Sequence, residues 1–199
     1  MKKIFSFVLF CLFTVSSFSQ QVYIDKMLNE NIRYVETSNI CYRKFTDTHI
    51  WNYGLSCYAN DTIKSFVLCI NINSSSKINI KENGILLIKT FTNDVIELKT
   101  SSSDFDKITL GYQYNKPLVG NIGTISENII AKNIAYFSIS EDNLILLKNG
   151  ISKVRLETTS DYVEYEYKKD KIGSPLFNSF NIINETLKHE IKNTIKDNF

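Results

Sequence analysis

Residues 151–167 read ISKVRLETTSDYVEYEY, the clearest strand pattern in the chain. Apolar or hydroxyl residues alternate with charged ones along both halves, which is the period of a strand with one buried face. The TSD triplet at 159–161 is typical of a turn. We therefore predict an antiparallel hairpin whose two charged faces pair across the strands. The predicted pairs join two basic and two acidic side chains: Lys153, Arg155, Glu164 and Glu166.

A C-terminal helix is predicted after this hairpin. Gly173 is followed by Ser174, which suits an N-cap, and by Pro175, which suits the first helical position. Beyond Pro175, apolar residues recur at steps of three or four, so they form one stripe that can pack on a sheet. The stripe contains Leu176, Phe180, Ile183, Leu187, Ile191 and Ile195.

The chain before the hairpin consists of strand-like runs separated by polar turns. Asn83-Gly84 predicts a hairpin between residues 77–81 and 85–91. Residues 101–107 read as a polar loop, and residues 116–133 as the least regular stretch. Residues 22–36 fit no single period. The runs predicted as strands are 40–45, 49–58, 62–72, 77–81, 85–91, 95–99, 108–114 and 135–139.

A short helix is predicted to open at Ser140 as N-cap and to close at Gly150. Taken together, the pattern predicts an α+β fold of mostly antiparallel strands with the C-terminal amphipathic helix packed on the sheet. A β-sandwich or barrel closed by a helix is the alternative. No internal repeat or linker divides the chain, so residues 20–199 are expected to form one strand-rich domain.

Residues 1–19 have the layout of a secretory signal peptide. Lys2 and Lys3 form a positive start, an apolar run covers residues 4–15, and Ser17 and Ser19 are the small residues before a cleavage point. The apolar run is shorter than the roughly twenty residues that a spanning helix needs. Cleavage would leave Gln20 as the first residue of a secreted or periplasmic protein with no membrane span.

Charge argues against a nucleic-acid partner. The chain has 23 Lys and Arg and 21 Asp and Glu residues, and two of the lysines lie in the predicted signal. The remaining charges balance and are interspersed, whereas nucleic-acid-binding proteins carry a basic patch or stripe. Export would also separate the protein from cellular nucleic acid.

Cysteines and a modification motif are the next features. Cys41, Cys57 and Cys69 remain after cleavage, so one disulfide of unknown pairing can form and at least one thiol stays unpaired in a monomer. Direct pairing of Cys57 with Cys69 does not fit the register of the turn between them. Thr62, in the triplet Asp61-Thr62-Ile63, is a candidate site of O-glycosylation.

No catalytic, cofactor-binding or metal-binding motif is present, and no cofactor is predicted. Asp47 and His49 could form a fragment of an acid/base or metal site, but a solvated turn is the favoured explanation. Trp51 and Tyr53 share one strand face, so they could stack on a sugar ring. The alternative is that both rings pack in the core.

Residues 147–155, LKNGISKVR, and 168–173, KKDKIG, together with the terminal helix, resemble small secreted proteins of the Gram-negative bacterial envelope. These relatives have no known function, so the resemblance implies a location and no activity. Three functions are therefore compared. We favour a non-catalytic module that binds an envelope protein or glycan. The alternatives are a periplasmic inhibitor or immunity-type protein and a hydrolase with a cryptic site.

Overall fold

The computed structural model describes residues 20–42, 49–115 and 124–189, with the backbone alone for 110–115 and 124–128. Ten strands, two α-helices and one 3-10 helix (Leu147–Asn149) lie within these ranges. The strands are β1 (Val22–Asn29), β2 (Ile32–Thr37), β3 (Ile40–Tyr42), β4 (Ile50–Ala59), β5 (Lys64–Ser74), β6 (Ile85–Thr90), β7 (Val95–Asn115), β8 (Thr124–Ile139), β9 (Ile151–Glu157) and β10 (Tyr162–Glu166). The α-helices are α1 (Glu141–Leu146) and α2 (Gly173–Lys188).

The strands form one antiparallel sheet in the order β1-β2-β4-β5-β8-β7-β6-β9-β10, with β3 also pairing with β4. β7 lies inside the sheet and connects two parts of it. Its first part, Val95 to Lys99, pairs with β6, and from Thr100 onward it pairs with β8. We call β1 to β5, β8 and the later part of β7 the large half-sheet. The first part of β7 with β6, β9 and β10 is the small half-sheet.

The core lies between the inner faces of the two half-sheets. Tyr53 of β4 and Tyr167, just after β10, join their hydroxyls at 2.7 Å in the buried interior. The ring of Tyr42 in β3 contacts Tyr165 and Tyr167, with ring centres 6.2 and 5.6 Å apart. Side chains of alternate residues along most of the strands fill this space, as a sheet with one buried face requires. The outer faces carry mainly polar residues, with some half-buried apolar ones among them.

Helix α2 covers the inner side of the large half-sheet, against β2 and β4. Leu176, Phe180 and Ile183 are buried, and the Phe180 ring meets Phe66 of β5 at 5.3 Å. The last two residues of the predicted stripe lie outside the described residues. Among the described strands, the end strands β1 and β10 each pair on one side only, so the sheet is open. This confirms the predicted α+β fold with its terminal helix rather than a closed barrel.

The hairpin predicted for residues 151–167 forms as predicted. β9 and β10 pair with Glu164 opposite Arg155 and Glu166 opposite Lys153. Lys153 bridges both glutamates at 2.9 and 2.8 Å. The short helix is also confirmed, because the Ser140 hydroxyl accepts the Asn143 N–H and helix α1 begins at Glu141.

The hairpin predicted at Asn83-Gly84 is wrong. Asn83 adopts a positive φ of 53° in a turn, but residues 77–81 add only one bridge, between Ile80 and Thr158. Asn133, buried in β8, accounts for the difference, because its side-chain oxygen accepts the Ile78 N–H at 2.7 Å. That bond holds residues 77–81 against β8. β6 therefore pairs with β7 and β9, and not with residues 77–81.

Two other expectations are also wrong. Residues 101–107 are a continuous part of β7, and residues 124–133 belong to β8. Residues 101–104 are exposed, so the strand needs no apolar face there and the sequence lacks the alternation that marks a strand. The ambiguous region 22–36 forms β1 and most of β2. β1 is an almost fully exposed edge strand with two register shifts, which accounts for its missing period.

The predicted signal, residues 1–19, lies outside the described residues. Within the described ranges no helix combines the length and the hydropathy that a membrane crossing requires.

Asp170 joins helix α2 to β9. Its carboxylate accepts N–H bonds from Ile151, Gly173 and Ser174 at 2.8 to 3.1 Å. It also accepts the Ser174 hydroxyl, so the capping role predicted for Ser174 belongs to Asp170. Gly150, at a φ of 75°, crosses Gly173 here, and a Cβ on Gly173 would lie 2.7 Å from the Gly150 backbone. Neither glycine can carry a side chain without moving the helix.

Replacing Asp170 should therefore destabilise the fold. We expect Asp170→Ala to lower the free energy of unfolding by about 2 kcal/mol, because a helix cap is lost and buried N–H groups stay unpaired. Urea unfolding followed by circular dichroism measures this. Asp61→Ala, at an exposed turn, is the control and should change little. Equal losses in the two variants would contradict the role assigned to Asp170.

The loss of stability in Asp170→Ala should depend on pH. Burial alone would raise the pKa of Asp170, but hydrogen bonds from Ser174, Ile151 and Gly173 outweigh it and hold the pKa below the ordinary 3.8. The stabilisation is therefore complete at neutral pH and is lost as the pH falls through the lower folded value. The stability gap between wild type and Asp170→Ala should narrow below pH 3.8.

Candidate functional site

The outer face of the small half-sheet carries a groove of about 490 Å³. This volume falls within the roughly 300–1,000 Å³ of small-molecule sites. β6, β7 and β9 supply its floor, and the turn from β9 to β10 supplies one wall. The lining residues are Lys81, Ile85, Leu87, Glu97, Arg155, Glu157, Thr158, Thr159, Ser160, Asp161 and Tyr162.

The floor of the groove is apolar. Ile85 and Leu87 project from β6 and are half-buried. In the sheet register, Leu87 lies between Glu97 of β7 and Arg155 of β9. The side chains of directly paired residues stand next to one another on the same face. An apolar patch is therefore flanked on both sides by charged groups.

Glu157 is fixed at one end of this floor. One carboxylate oxygen pairs with Lys81, and the other accepts the backbone N–H of Ile85 at 3.0 Å. The Lys81 and Ile85 hydrogen bonds lower the pKa of Glu157 below 4.5. Glu157 is therefore ionised at neutral pH, and its oxygens are acceptors in a set position.

Arg155 is fixed in the middle of the groove. Its Nε and Nη2 both bind Glu164 Oε2, at 2.9 and 2.8 Å. Its guanidinium carbon lies 4.1 Å from the centre of the Tyr162 ring, a cation–π distance. Hydrogen bonds from Lys153 and then Arg155 lower the pKa of Glu164, so this carboxylate is also ionised. Of the five N–H donors of Arg155, the two on Nη1 are not used in these bonds.

The turn that forms the wall is held by its own hydrogen bonds. Thr158 N–H donates to the Asp161 carbonyl at 2.8 Å, and Asp161 N–H donates back to the Thr158 hydroxyl at 3.1 Å. Thr159 N–H donates to the Asn79 carbonyl at 2.9 Å. The turn is thus tied to the segment before β6, and it presents hydroxyl and carboxylate groups to the groove.

Trp51 and Tyr53, the candidate platform for ligand stacking, are core residues. Their exposed fractions are 1% and 0%, and their rings stack on each other at 6.3 Å. The prediction of a shared face agrees with the structure, but that face points inward, where α2 and the small half-sheet cover it. A ligand cannot reach either ring in this arrangement.

The three cysteines predicted as disulfide candidates are free. Cys57 is buried on the inner face opposite Phe66, whereas Cys69 lies opposite Gly54 on the outer face. Opposite faces of one sheet preclude a direct cross-strand bond between these two. Cys41 is exposed on β3, which pairs with the other side of β4. The structure therefore brings no two of the three together.

Thr62 and His49 are in different surroundings. Thr62 is exposed in the turn between β4 and β5, and its N–H and hydroxyl both donate to the Asn60 side chain. O-glycosylation of Thr62 stays a prediction. His49 is half-buried before β4, and its suggested neighbour Asp47 lies outside the described residues.

No group of three or more His, Cys, Asp or Glu in the described ranges could hold a metal ion. Comparison with protein-family models, with curated proteins and with solved structures finds no match for this chain.

The sequence does not reveal the groove. Its hairpin residues are visible as a charged strand face, but Lys81 lies 76 residues from its partner Glu157. Glu97 comes from a third strand. A groove assembled from three separate segments leaves no local motif. The one available signal was that β9 and β10 carry more charge than a half-buried hairpin needs.

The cysteine environments lead to a labelling prediction. Burial raises the pKa of the Cys57 and Cys69 thiols to about 11, so both are protonated at neutral pH. We expect a maleimide to modify exposed Cys41 first, half-buried Cys69 more slowly, and buried Cys57 only in denaturant. Peptide mass spectrometry after timed labelling reads the order. Labelling of Cys57 in the folded protein as fast as that of Cys41 would contradict the burial.

The pKa of Glu157 provides a test of the groove itself. Lys81→Met should raise this pKa toward 4.5, because it removes the hydrogen bond that lowers it most. Carboxyl carbon shifts in an NMR titration report the value in wild type and variant. Lys89→Met is the control, because it removes a lysine from the same sheet face but outside the groove. It should leave the pKa of Glu157 unchanged. An unchanged pKa of Glu157 in Lys81→Met would show that the ion pair between Lys81 and Glu157 does not form in solution.

Proposed function

We propose that residues 1–19 direct export and that the mature chain is a non-catalytic binding module of the bacterial envelope. Its ligand is a short saccharide held in the groove on the small half-sheet. The layout of the first residues supports export, and the resemblance of the C-terminal third to secreted envelope proteins agrees with it. The fixed polar groups around the apolar floor of the groove are the observation that carries the binding role.

The arrangement of donors and acceptors favours a hydroxylated ligand. Glu157 offers acceptors, and the Nη1 atom of Arg155 offers donors, within one groove. A hydroxyl is both donor and acceptor, so neighbouring hydroxyls on a sugar can satisfy both kinds of group at once. The C–H face of a sugar ring suits the floor of Ile85 and Leu87. In a peptide, the N–H only donates and the C=O only accepts. A peptide therefore matches a groove with donors and acceptors side by side less well than a sugar does.

The electrostatics favour binding over acid catalysis. A glycosidase needs a carboxylic acid that holds its proton near neutral pH. Glu157 and Glu164 have pKa values lowered by their basic partners, so both are ionised and neither can donate a proton. Groups that are already fixed also lose little freedom when a ligand binds, which benefits affinity.

Saccharide binding can be tested by NMR titration of the mature chain. The probes are maltotetraose, cellotetraose and acetylated chitotetraose. We expect at least one of them to cause saturable shifts of the backbone amides of Ile85, Leu87 and residues 158–162. Failure of all three probes to shift these amides would count against a saccharide ligand.

Two matched variants place the binding in the groove. Glu157→Gln keeps an acceptor for the Ile85 N–H but loses the charge. It should weaken binding about tenfold, since a hydrogen bond to a charged group contributes about 1.5–3 kcal/mol. Glu166→Gln makes the same change on the same sheet face outside the groove and should bind like wild type. Equal affinities of the two variants would mean that the saccharide binds elsewhere.

A further inference from the structure

Gln20 is held between the connection from β2 to β3 and helix α2. The hydroxyls of Ser38 and Ser179 both donate to its side-chain oxygen, at 3.2 and 3.3 Å. The next residue is held as well, because Gln21 N–H donates to the Ser38 hydroxyl at 3.3 Å and Ser38 N–H donates to the Gln21 carbonyl at 2.8 Å. Ser179 is fully buried in helix α2. The side-chain amide of Gln20 is therefore held with two donors on its carbonyl oxygen.

Gln20 is also the residue that export would place first. Cleavage after Ser19 would free its α-amino nitrogen, which can reach the Cδ atom of the same residue by closing a five-membered ring. Attack on an amide carbon places negative charge on the carbonyl oxygen, and hydrogen-bond donors on that oxygen stabilise the charge. Ser38 and Ser179 occupy the positions where such donors act.

We propose that the mature N-terminus is pyroglutamate, formed from Gln20 within the folded protein. The α-amino nitrogen bonds to Cδ, the bond from Cδ to the side-chain nitrogen breaks, and that nitrogen leaves as ammonia after taking up the proton that the amine loses. No oxidant or co-reactant is needed. This inference depends on the export part of the proposed function and is independent of saccharide binding.

The surroundings of Gln20 favour the uncharged product. Gln20 lines a cavity of about 300 Å³ together with Lys148 and with Ser174, Pro175, Phe177 and Asn178 from the start of helix α2. The N-terminal end of a helix carries partial positive charge. An α-ammonium group would therefore add positive charge beside Lys148 and the positive helix end. The lactam carries no charge, and its carbonyl can accept the same two serine hydroxyls.

Intact mass measures the reaction directly. The mature chain is released from a fusion by a protease that leaves Gln20 first, and its mass is followed at neutral pH. Ring closure removes one ammonia, a loss of about 17 Da. We expect the loss to be faster in the folded chain than in the same chain in concentrated urea, where the serine contacts are absent. Equal rates in the two solutions would overturn the role of the fold.

Two serine variants test the donors. Ser179→Ala should slow ring closure about tenfold, a modest effect beside that of oxyanion donors in enzymes because the bond is long. Ser138→Ala, on an exposed part of β8, should close at the wild-type rate. Equal slowing in both variants, or none in Ser179→Ala, would show that the serine contacts do not promote the reaction.

The first residue of protein purified from its own cell envelope tests ring closure and export separately. A first residue of pyroglutamate at position 20 supports both. A chain that begins with open Gln20 leaves export standing and overturns ring closure. A chain that still begins at Met1 refutes export, and the proposed N-terminus with it.

Discussion

The packing of helix α2 depends on the carboxylate of Asp170. One side chain there accepts N–H groups from the first residue of β9 and from the first turn of the helix. The chain paths cross at Gly150 and Gly173, where there is no room for a side chain. These hydrogen bonds and the close backbone approach fix α2 relative to β9, in addition to the apolar contacts of the helix. This junction therefore sets the position of α2 on the large half-sheet.

The division of β7 between two half-sheets determines where a ligand can bind. Because the inner faces meet around Tyr53 and Tyr167, their apolar side chains are used by the core. The outer faces remain, and that of the small half-sheet combines half-buried apolar residues with fixed charges. Leu87 and Arg155 stand side by side there because the register of β6 and β9 pairs them. The groove is thus a consequence of the sheet register.

The features that could be predicted are those encoded by neighbouring residues. The β9–β10 hairpin has both strands, its turn and its ion pairs within residues 151–167, so alternation alone reveals it. Residues 77–81 alternate equally well, but the amide of Asn133, distant in sequence, holds them away from a ladder. Alternation also places Trp51 and Tyr53 on one face without indicating that this face is buried. The groove could not be predicted, because Lys81, Glu97 and Glu157 come together only in the folded sheet.

Contacts between the two ends of the described chain bear on how the protein folds. The Arg33 guanidinium donates to the His189 carbonyl at 2.6 Å, and Ser179 binds Gln20. Contacts between residues so far apart in sequence slow folding, because a long loop must close before they can form. A chain that emerges N-terminus first presents β2 well before the helix that packs on this strand exists. Under the export proposed above, late assembly of this kind would keep the polypeptide unfolded while it crosses the membrane.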